Sequence, residues 1–535
     1  MRTEETGLAA APRETLTWLF AAVALAAAVE IALAARSPVI AKDGVTFIGI
    51  AHQLARSPIE AIRGEDQHPG YPALILAARR VIGLFGQADD LSAWIFAARL
   101  PAMLFGLLNV IVLWCWVRRA FDSRVAGIAA VFLAILPVFC ENSADTLSDA
   151  PHLFFYLLSA ELITEGIVRR RFEFFLAAGV SSGLAYWIRP EGLAPVVVGA
   201  TVILLVAVLG HEKPLPALAW LAGLLVAAGI VAAPYLCLKG KLTSKKDFSA
   251  LVCSEPVEPE IRGHTDASPA APPSSAASRP APVHVVLQPV PRSGRLVGLA
   301  KAVGTLAAEW THGLRYFLTW LFAAGLFCPG APKAQPKPKL FLAALAGFNI
   351  LLLTLLYLVA GYIAERHTMP LLCVSLAWVG GGTVWLGGKL SGLLASRSSA
   401  KAKLGPGLFA GLLVAASVLG LLPRSLRPLH AHALPVVQAA RWIRNHAQPG
   451  DEILTNTTYG TFYSRLPGRV LEKYDTVPDS LQQDRSWPYR FVLLDRTAPG
   501  FQSVPMAELL KSYKPVKIAG LPEDNPVVLE LSPRR

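Results

Sequence analysis

The chain has 535 residues, of which 53% are apolar and only 16% charged, with a mean hydropathy of +0.46. A soluble globular chain carries about 25% charged residues, so this balance excludes an ordinary soluble protein. The apolar residues gather in blocks of about twenty, which excludes collagen-like and mainly disordered chains and describes a polytopic membrane protein. The net charge of +13 does not point to nucleic acid, because many basic residues fall in short loops between apolar blocks, where they retain a loop on the cytoplasmic side. Six cysteines (Cys115, Cys140, Cys237, Cys253, Cys328 and Cys373) are scattered without a C-x-x-C pair, which argues against a zinc site or a disulfide framework.

In chain order, the first block runs from about Leu16 to Ala35, behind Arg2 and Arg13. Its length suits an uncleaved span better than the core of a signal peptide, the alternative raised by A-L-A-A before Arg36. The apolar segment 69–86 is interrupted by Arg79 and Arg80 and reads as a helix lying in the interface. Further blocks lie near 95–117, 124–140, 149–168, 172–188, 193–210, 217–238, 313–328, 340–362, 368–388 and 405–423. The total is about eleven spans. With a cytoplasmic N-terminus, the inside loops collect Arg118, Arg119 and Arg124, then Arg169 to Arg171, then Lys333, Lys337 and Lys339, then Lys389, Arg397, Lys401 and Lys403. Counting 69–86 as a span would put the first cluster outside, against the positive-inside bias.

The basic run Lys239, Lys241, Lys245 and Lys246 falls outside, where it opens a flexible outer loop, 239–312, long enough to escape that rule. A proline/alanine/serine tract near 268–282 marks this loop as a linker. After Pro423 the pattern changes. A helical stretch from Val436 to His446 is followed by strand-like runs at 452–455, 491–494 and 526–531, with a helix near 505–513. The expected organisation is a transmembrane unit, 1–425, with a first outer loop at 37–94, and a small α/β domain, 426–535. An odd number of spans puts that domain on the outer face.

Unusual polar residues collect on the outer side. The first outer loop holds Asp43, then Glu65, Asp66, His68 and Tyr71; the next holds Glu141, Asp145, Asp149 and His152. Arg189 and Glu191 follow in I-R-P-E-G, and Tyr362, Glu365, Arg366 and His367 in G-Y-I-A-E-R-H. Ionisable groups at span ends are costly unless paired or used, so each is a site candidate. Singly, each also fits a plainer role. Asp43 suits a helix cap and Asp149 an N-cap ahead of Pro151. Arg189 suits a snorkelling side chain, and His68 and His367 suit satisfied interface histidines.

Together, D-G-x-x-x-x-x-x-A from Asp43, H-P-G-Y-P from His68, T-L-S-D-A-P to Pro151, W-I-R-P-E-G to Gly192 and Y-I-A-E-R-H-T-M-P-L from Tyr362 resemble the GT-C membrane glycosyltransferases. The resemblance is nearest to the bacterial branch around the protein O-mannosyltransferases, the aminoarabinose transferase and the Rgt-type lipopolysaccharide sugar transferases. It implies a GT-C-like fold and transfer of a sugar, with inversion, from a polyprenyl-phosphate donor to a hydroxyl of a glycan, lipid or protein. It makes Asp43 the catalytic base and His68, Tyr71, Asp149, Arg189, Glu191, Tyr362, Arg366 and His367 the substrate-binding candidates. Where many relatives have an acidic pair, this chain has Asp43-Gly44, and their H-P-P is His68-Pro69-Gly70. Some relatives hold a divalent metal; no cofactor is assigned here, and Asp66, His68 and Asp149 are the candidate ligands.

The chemistry agrees with these residue types. A hydroxyl losing its proton needs a carboxylate within hydrogen-bond reach, and a phosphate leaving group suits an arginine fork such as Arg366. A transporter or flippase is the alternative, but it should show mid-membrane charges and a two-fold repeat; a scaffold would leave the acidic first loop unexplained. The expected setting is the bacterial inner membrane, with a cytoplasmic N-terminus, an extracytoplasmic C-terminal domain and no nucleic-acid partner.

Overall fold

In lipid a helix is the open-chain solution that satisfies every backbone amide internally, and the apolar blocks of this chain become helices. The computed structural model describes residues 12–85, 90–209, 212–243, 295–397, 405–471, 489–498, 501, 506–522 and 525–531. The bundle begins with α1 (Pro12–Arg36), followed by three short helices, α2 (Lys42–Arg56), α3 (Pro58–Gly64) and α4 (Gly70–Gly83). It continues through α5 (Leu91–Ala120), the bent pair α6 (Ser123–Ile135) and α7 (Pro137–Ala144), α8 (Asp149–Arg169) and α9 (Phe172–Ile188). Then come α10 (Ala194–Val208), α11 (Pro214–Lys239), α12 (Arg295–Gly313), α13 (Phe317–Phe327), α14 (Pro336–Ala360), α15 (Met369–Arg397) and α16 (Pro406–Ser425).

Among the described residues seven helices are long and apolar enough to cross a membrane, or eight if the pair α6 and α7, bent by 61°, forms one span. The sequence expectation of about eleven adds α8, whose 21 residues include Asp149, Glu161, Glu165 and Arg169, and the shorter α9 and α13. Helix length and composition do not establish those three as spans. The segment expected to lie in the interface is α4, whose 14 residues reach about 21 Å, well short of the roughly 30 Å hydrocarbon layer.

The core forms around α6, buried from Val125 to Ile135 on all sides and packed against α1, α5, α15 and α16. The two ends of the bundle differ. At one end Arg119 and Arg169 pair with Glu165, Arg170 and Lys337 pair with Glu212, and Gln335 donates to the Ala120 carbonyl. These are the loops expected inside, gathered together. At the other end sit the first outer loop and the C-terminal sheet.

That sheet follows α17 (Leu434–His446) and contains β1 (Glu452–Thr455), β2 (Gly468–Val470), β3 (Tyr489–Leu494), β4 (Tyr513–Pro515) and β5 (Val527–Leu531) in the order β2-β1-β3-β5-β4. β1 is parallel to β2 and β3, whereas β5 is antiparallel to β3 and β4. The helix α18 (Thr458–Ser464) links β1 to β2, and α19 (Met506–Ser512) leads into β4. Of these, α18, β2 and β4 are too short to be legible from periodicity.

One expectation needs correction. The loop read as flexible over 239–312 ends in α12, whose Leu306 packs against Leu353, Leu356 and Ile363. The tract at 268–282 lies outside the described residues. Helices α13 and α15 meet at backbone distance: a Cβ on Gly382 would lie 1.8 Å from the Leu321 carbonyl oxygen, and one on Gly325 1.9 Å from that of Trp378. Replacing Gly382 by leucine should therefore push these helices apart and destabilise the protein by about 1–3 kcal/mol or more. The thermal midpoint of the detergent-purified variant measures this, and an unchanged midpoint would refute the close approach.

Candidate active site

The site is built from the ends of helices. Arg99 on α5 donates from Nη1 to the Ala34 carbonyl (3.0 Å) and from Nη2 to that of Ser37, closing the carboxyl end of α1. Asp145, after α7, is 1% exposed and accepts from the backbone N–H groups of Ala41 (3.2 Å) and Thr146 (2.7 Å) through Oδ1. Its Oδ2 lies 2.7 Å from Nε2 of His430, in the chain after α16. A buried carboxylate persists when its oxygens are occupied in this way. The Ala41 amide is one of the free donors at the amino end of α2, so Asp145 fixes where that helix starts.

Asp43 stands in the first turn of α2, with Oδ2 3.0 Å from Nη1 of Arg366; both side chains are partly exposed. Beside this pair lies a narrow cavity, open to solvent, that brings together Asp149, Arg189, Glu191, Arg366 and His367. Arg189 donates from Nη1 to Asp149 (2.5 Å) and from Nη2 to Glu191 (3.3 Å). Burial works against the Arg189 charge, but these two carboxylates more than reverse the effect and raise its pKa. The Ala364 backbone N–H donates to Nδ1 of His367 (3.3 Å), which leaves the proton of the neutral ring on Nε2. The Tyr362 ring is half exposed, 5.9 Å from that of His367. Leu352, Leu353 and Leu356 supply an apolar wall, and the inner end is marked by Asn349 donating to Tyr156 Oη at 2.8 Å, about 10 Å along α8 from Asp149. His152, not among the binding candidates, also lines this cavity.

The structure sets other candidates elsewhere. His68 is buried between Tyr186 and Tyr235, with Nδ1 2.7 Å from the Tyr186 carbonyl and Nε2 3.3 Å from Thr243 Oγ1. Tyr71 is fully buried and donates to the Ala98 carbonyl at 2.7 Å. H-P-G-Y-P thus packs the first outer loop onto α5, α9 and α11, and Gly70 allows this because a Cβ there would lie 2.6 Å from the Trp187 carbonyl oxygen. Asp66, His68 and Asp149 do not form a metal-ligand set; among the described residues no three His, Cys, Asp or Glu side chains gather as one. Glu365 pairs with Arg315 (2.8 Å) and His312 (2.9 Å) on the α12 side, leaving Arg366 to Asp43.

The C-terminal unit reaches this end of the bundle directly. Tyr459 Oη donates to the Ile40 carbonyl (3.0 Å), and the Ile40 N–H donates to Tyr463 Oη (3.3 Å). Burial raises the pKa of both phenols, so they remain neutral hydrogen-bonding groups. Val39 packs in the same apolar cluster as α17, Tyr459 and Tyr463. Distant parts of the chain therefore clamp the three residues that precede α2.

Residues 80–236 match the family described as dolichyl-phosphate-mannose-protein mannosyltransferase. No curated protein matches the sequence. Among solved structures the chain is similar to ArnT from Cupriavidus metallidurans in the apo state, with a TM-score of 0.58 and 14% identity over 97% of this chain and 100% of that one. The same protein bound to undecaprenyl phosphate gives 0.55 and 13% over 98% and 100%. The chain has the GT-C fold of the membrane glycosyltransferases. Arabinofuranosyltransferase AftD from Mycobacteria is also similar, at 0.51 and 13% over 97% of this chain and 40% of that one. At these identities the likeness is one of fold.

Within this GT-C fold the glycine after Asp43 has a physical reason. A Cβ on Gly44 would lie 1.7 Å from Thr146 Oγ1, so the corner that holds Asp145 packs on the α2 backbone and no second acid fits at 44. Replacing Gly44 by aspartate should displace α2 and Asp43 with it. Misplacement of a reacting group by about 1 Å can cost about 10²-fold in rate. If Asp43 is the base, turnover falls by that order while the variant still inserts and purifies; wild-type turnover would show that the close packing does not position Asp43.

Proposed function

We propose that this protein transfers a sugar from a polyprenyl-phosphate donor to a hydroxyl acceptor, with inversion, on the extracytoplasmic face of the bacterial inner membrane. The observation that carries the reading is the 3.0 Å contact between Asp43 and Arg366 beside a cavity that is charged at one end and leucine-lined along its wall. That pairing supports the reading, because such a transfer needs a carboxylate to take a proton beside a cation to hold a phosphate. The acceptor oxygen attacks the anomeric carbon from the side opposite the phosphate. A C–O bond forms as the C–O bond to the donor phosphate breaks, its electron pair departs with the polyprenyl phosphate, and the hydroxyl proton passes to Asp43.

Arg366 can serve both partners because a guanidinium has five donors in a plane, one held by Asp43 and others free to face a phosphate. The leucine wall suits a polyprenyl tail, and the similarity to a protein crystallised with undecaprenyl phosphate supports that class of donor. His367 and Tyr362 stand beside Arg366 as further substrate contacts, and Arg189, Asp149 and Glu191 form the charged wall that orients it. The basic loops at the opposite end support a cytoplasmic N-terminus and an outer-facing site. On this reading residues 1–425 form the transmembrane unit and 426–535 its extracytoplasmic domain.

The test is release of polyprenyl phosphate by the purified protein, followed by mass spectrometry. Asp43→Asn is nearly isosteric but cannot take the proton, so turnover should fall by about 10²–10⁴-fold with donor affinity retained; near-normal turnover overturns the assignment. Arg366→Lys should lose both donor affinity and turnover, since an ammonium cannot supply two parallel donors. If lysine restores both while alanine does not, the site requires only a charge and the phosphate clamp fails.

A further inference from the structure

A second hollow lies on the other side of α2 and takes no part in the donor reading. It runs between α2, the start of α5 and α18 of the C-terminal unit and is open to solvent. It begins at Val45, two residues past Asp43. Its floor is the His52 ring resting on Trp94, with centroids 3.8 Å apart, and Phe462 closes the opposite side. It adjoins a hollow of about 420 Å³ through shared walls at Leu91 and Arg465, and there Arg441 and Arg444 join Arg465. All three arginines are exposed. Arg441 and Arg444 are three apart on α17, hence on one helix face. The carboxylate facing them is Asp90, occupied as the cap of α5 by the Ala93 N–H and the Ser92 hydroxyl, both at 2.8 Å. Those hydrogen bonds hold its pKa below the ordinary value. Among the described residues three guanidinium groups face one carboxylate, so this end of the groove is lined mainly by positive charge.

We propose that this groove is the acceptor subsite and that it takes an anionic saccharide, one bearing carboxylate or phosphate groups. The inference rests on Asp43 being the base, because it gives the groove its direction: the hydroxyl to be glycosylated enters at Val45 while the anionic part reaches the arginines. The wall chemistry suits a sugar. Sugars present C–H faces that rest on aromatic rings, here His52 and Phe462, and hydroxyls at the rim, whereas the guanidinium groups make two-point contacts with carboxylate or phosphate. The C-terminal unit then has a specificity role, since Arg441, Arg444, Arg465 and Phe462 all belong to it.

Gly49 gives a clean test. It lines the groove, and a Cβ there would meet nothing within 4 Å, so a larger side chain fills the space without disturbing the helix. Binding of tetragalacturonate, phosphorylated maltotetraose, neutral maltotetraose and an acidic serine peptide is measured by calorimetry on the full-length protein in nanodiscs. At least one anionic saccharide should bind about tenfold or more tightly than the neutral one, and comparison of the two names the anionic group. Gly49→Phe and the pair Arg441→Gln/Arg444→Gln should each lose that preference, with polyprenyl-phosphate affinity unchanged. Equal binding of charged and neutral saccharides, binding of neither, wild-type binding by these variants, or tighter binding of the peptide would overturn the proposal. Asp43→Asn separates it from the catalytic reading: this variant should still bind the anionic saccharide, so normal turnover by it would sink the assignment of the base and leave the binding result standing.

Discussion

A carboxylate with 1% exposure determines the outer end of this molecule. An unpaired charge in such a place costs several kcal/mol, so a buried Asp145 must be surrounded by donors. The donors it finds come from three separate parts of the chain: the Ala41 amide before α2, the Thr146 amide beside it, and the His430 ring beyond α16. Satisfying one acid therefore registers the first outer loop, the α7–α8 corner and the entry to the C-terminal unit against one another. Gly44 completes the constraint, because the corner can reach Ala41 only if nothing projects from α2 at that point.

The ion pairs at the two ends of the bundle have different consequences. Arg169 and Arg170, paired with Glu165 and Glu212, are about half exposed, and such pairs contribute little to stability. Their importance is where they lie, since clustered basic loops favour the cytoplasmic side, and on the proposed reading this is the cytoplasmic end. At the other end Arg189 is held between Asp149 and Glu191 with 12% of its side chain exposed. A guanidinium so enclosed keeps its charge and its plane, and the wall of the cavity is fixed before any substrate arrives. Asp43 and Arg366, at 47% and 37% exposure, are the more open pair. The groups proposed to act thus remain accessible while those that frame them are locked.

The helices were legible because lipid leaves the backbone few alternatives, so block length alone locates α1, α5, α11 and α14 to within a few residues. Asp149, Arg189, Glu191, Arg366 and His367 were legible as a group because polar residues at span ends are conspicuous, and the fold brings all five to one cavity. His68 and Tyr71 carried an equally conspicuous motif yet are packing residues, since a motif does not state whether its side chains face a cavity or a neighbouring helix. Asp145 and Arg99 were not legible as anchors. Asp145 finds its partners 104 and 285 residues away, and Arg99 bonds to carbonyls 65 and 62 residues back; neither relation leaves a periodic trace. The helix α12 was not legible as an element because Arg295, Lys301, Glu309 and His312 interrupt its apolar residues, and Leu306 packing on α14 shows its buried side.

One short helix, α2, borders both hollows. Its first turn holds Asp43 against Arg366, and its next two turns give Val45, Ile48, Gly49 and His52 to the groove on the opposite side. On the proposed reading donor and acceptor never compete for the same wall, and the base stands where the two approaches meet. This makes the placement of α2 the quantity the architecture must control. It is controlled from outside the membrane unit as well as inside it: Tyr459 and Tyr463 grip Ile40 from the C-terminal unit while Asp145 grips Ala41 from the bundle. A C-terminal unit attached in this way does more than cover the site. It supplies half of the clamp on the helix that carries Asp43, the proposed base, and, through Arg465 and Phe462, one side of the groove through which the acceptor would come.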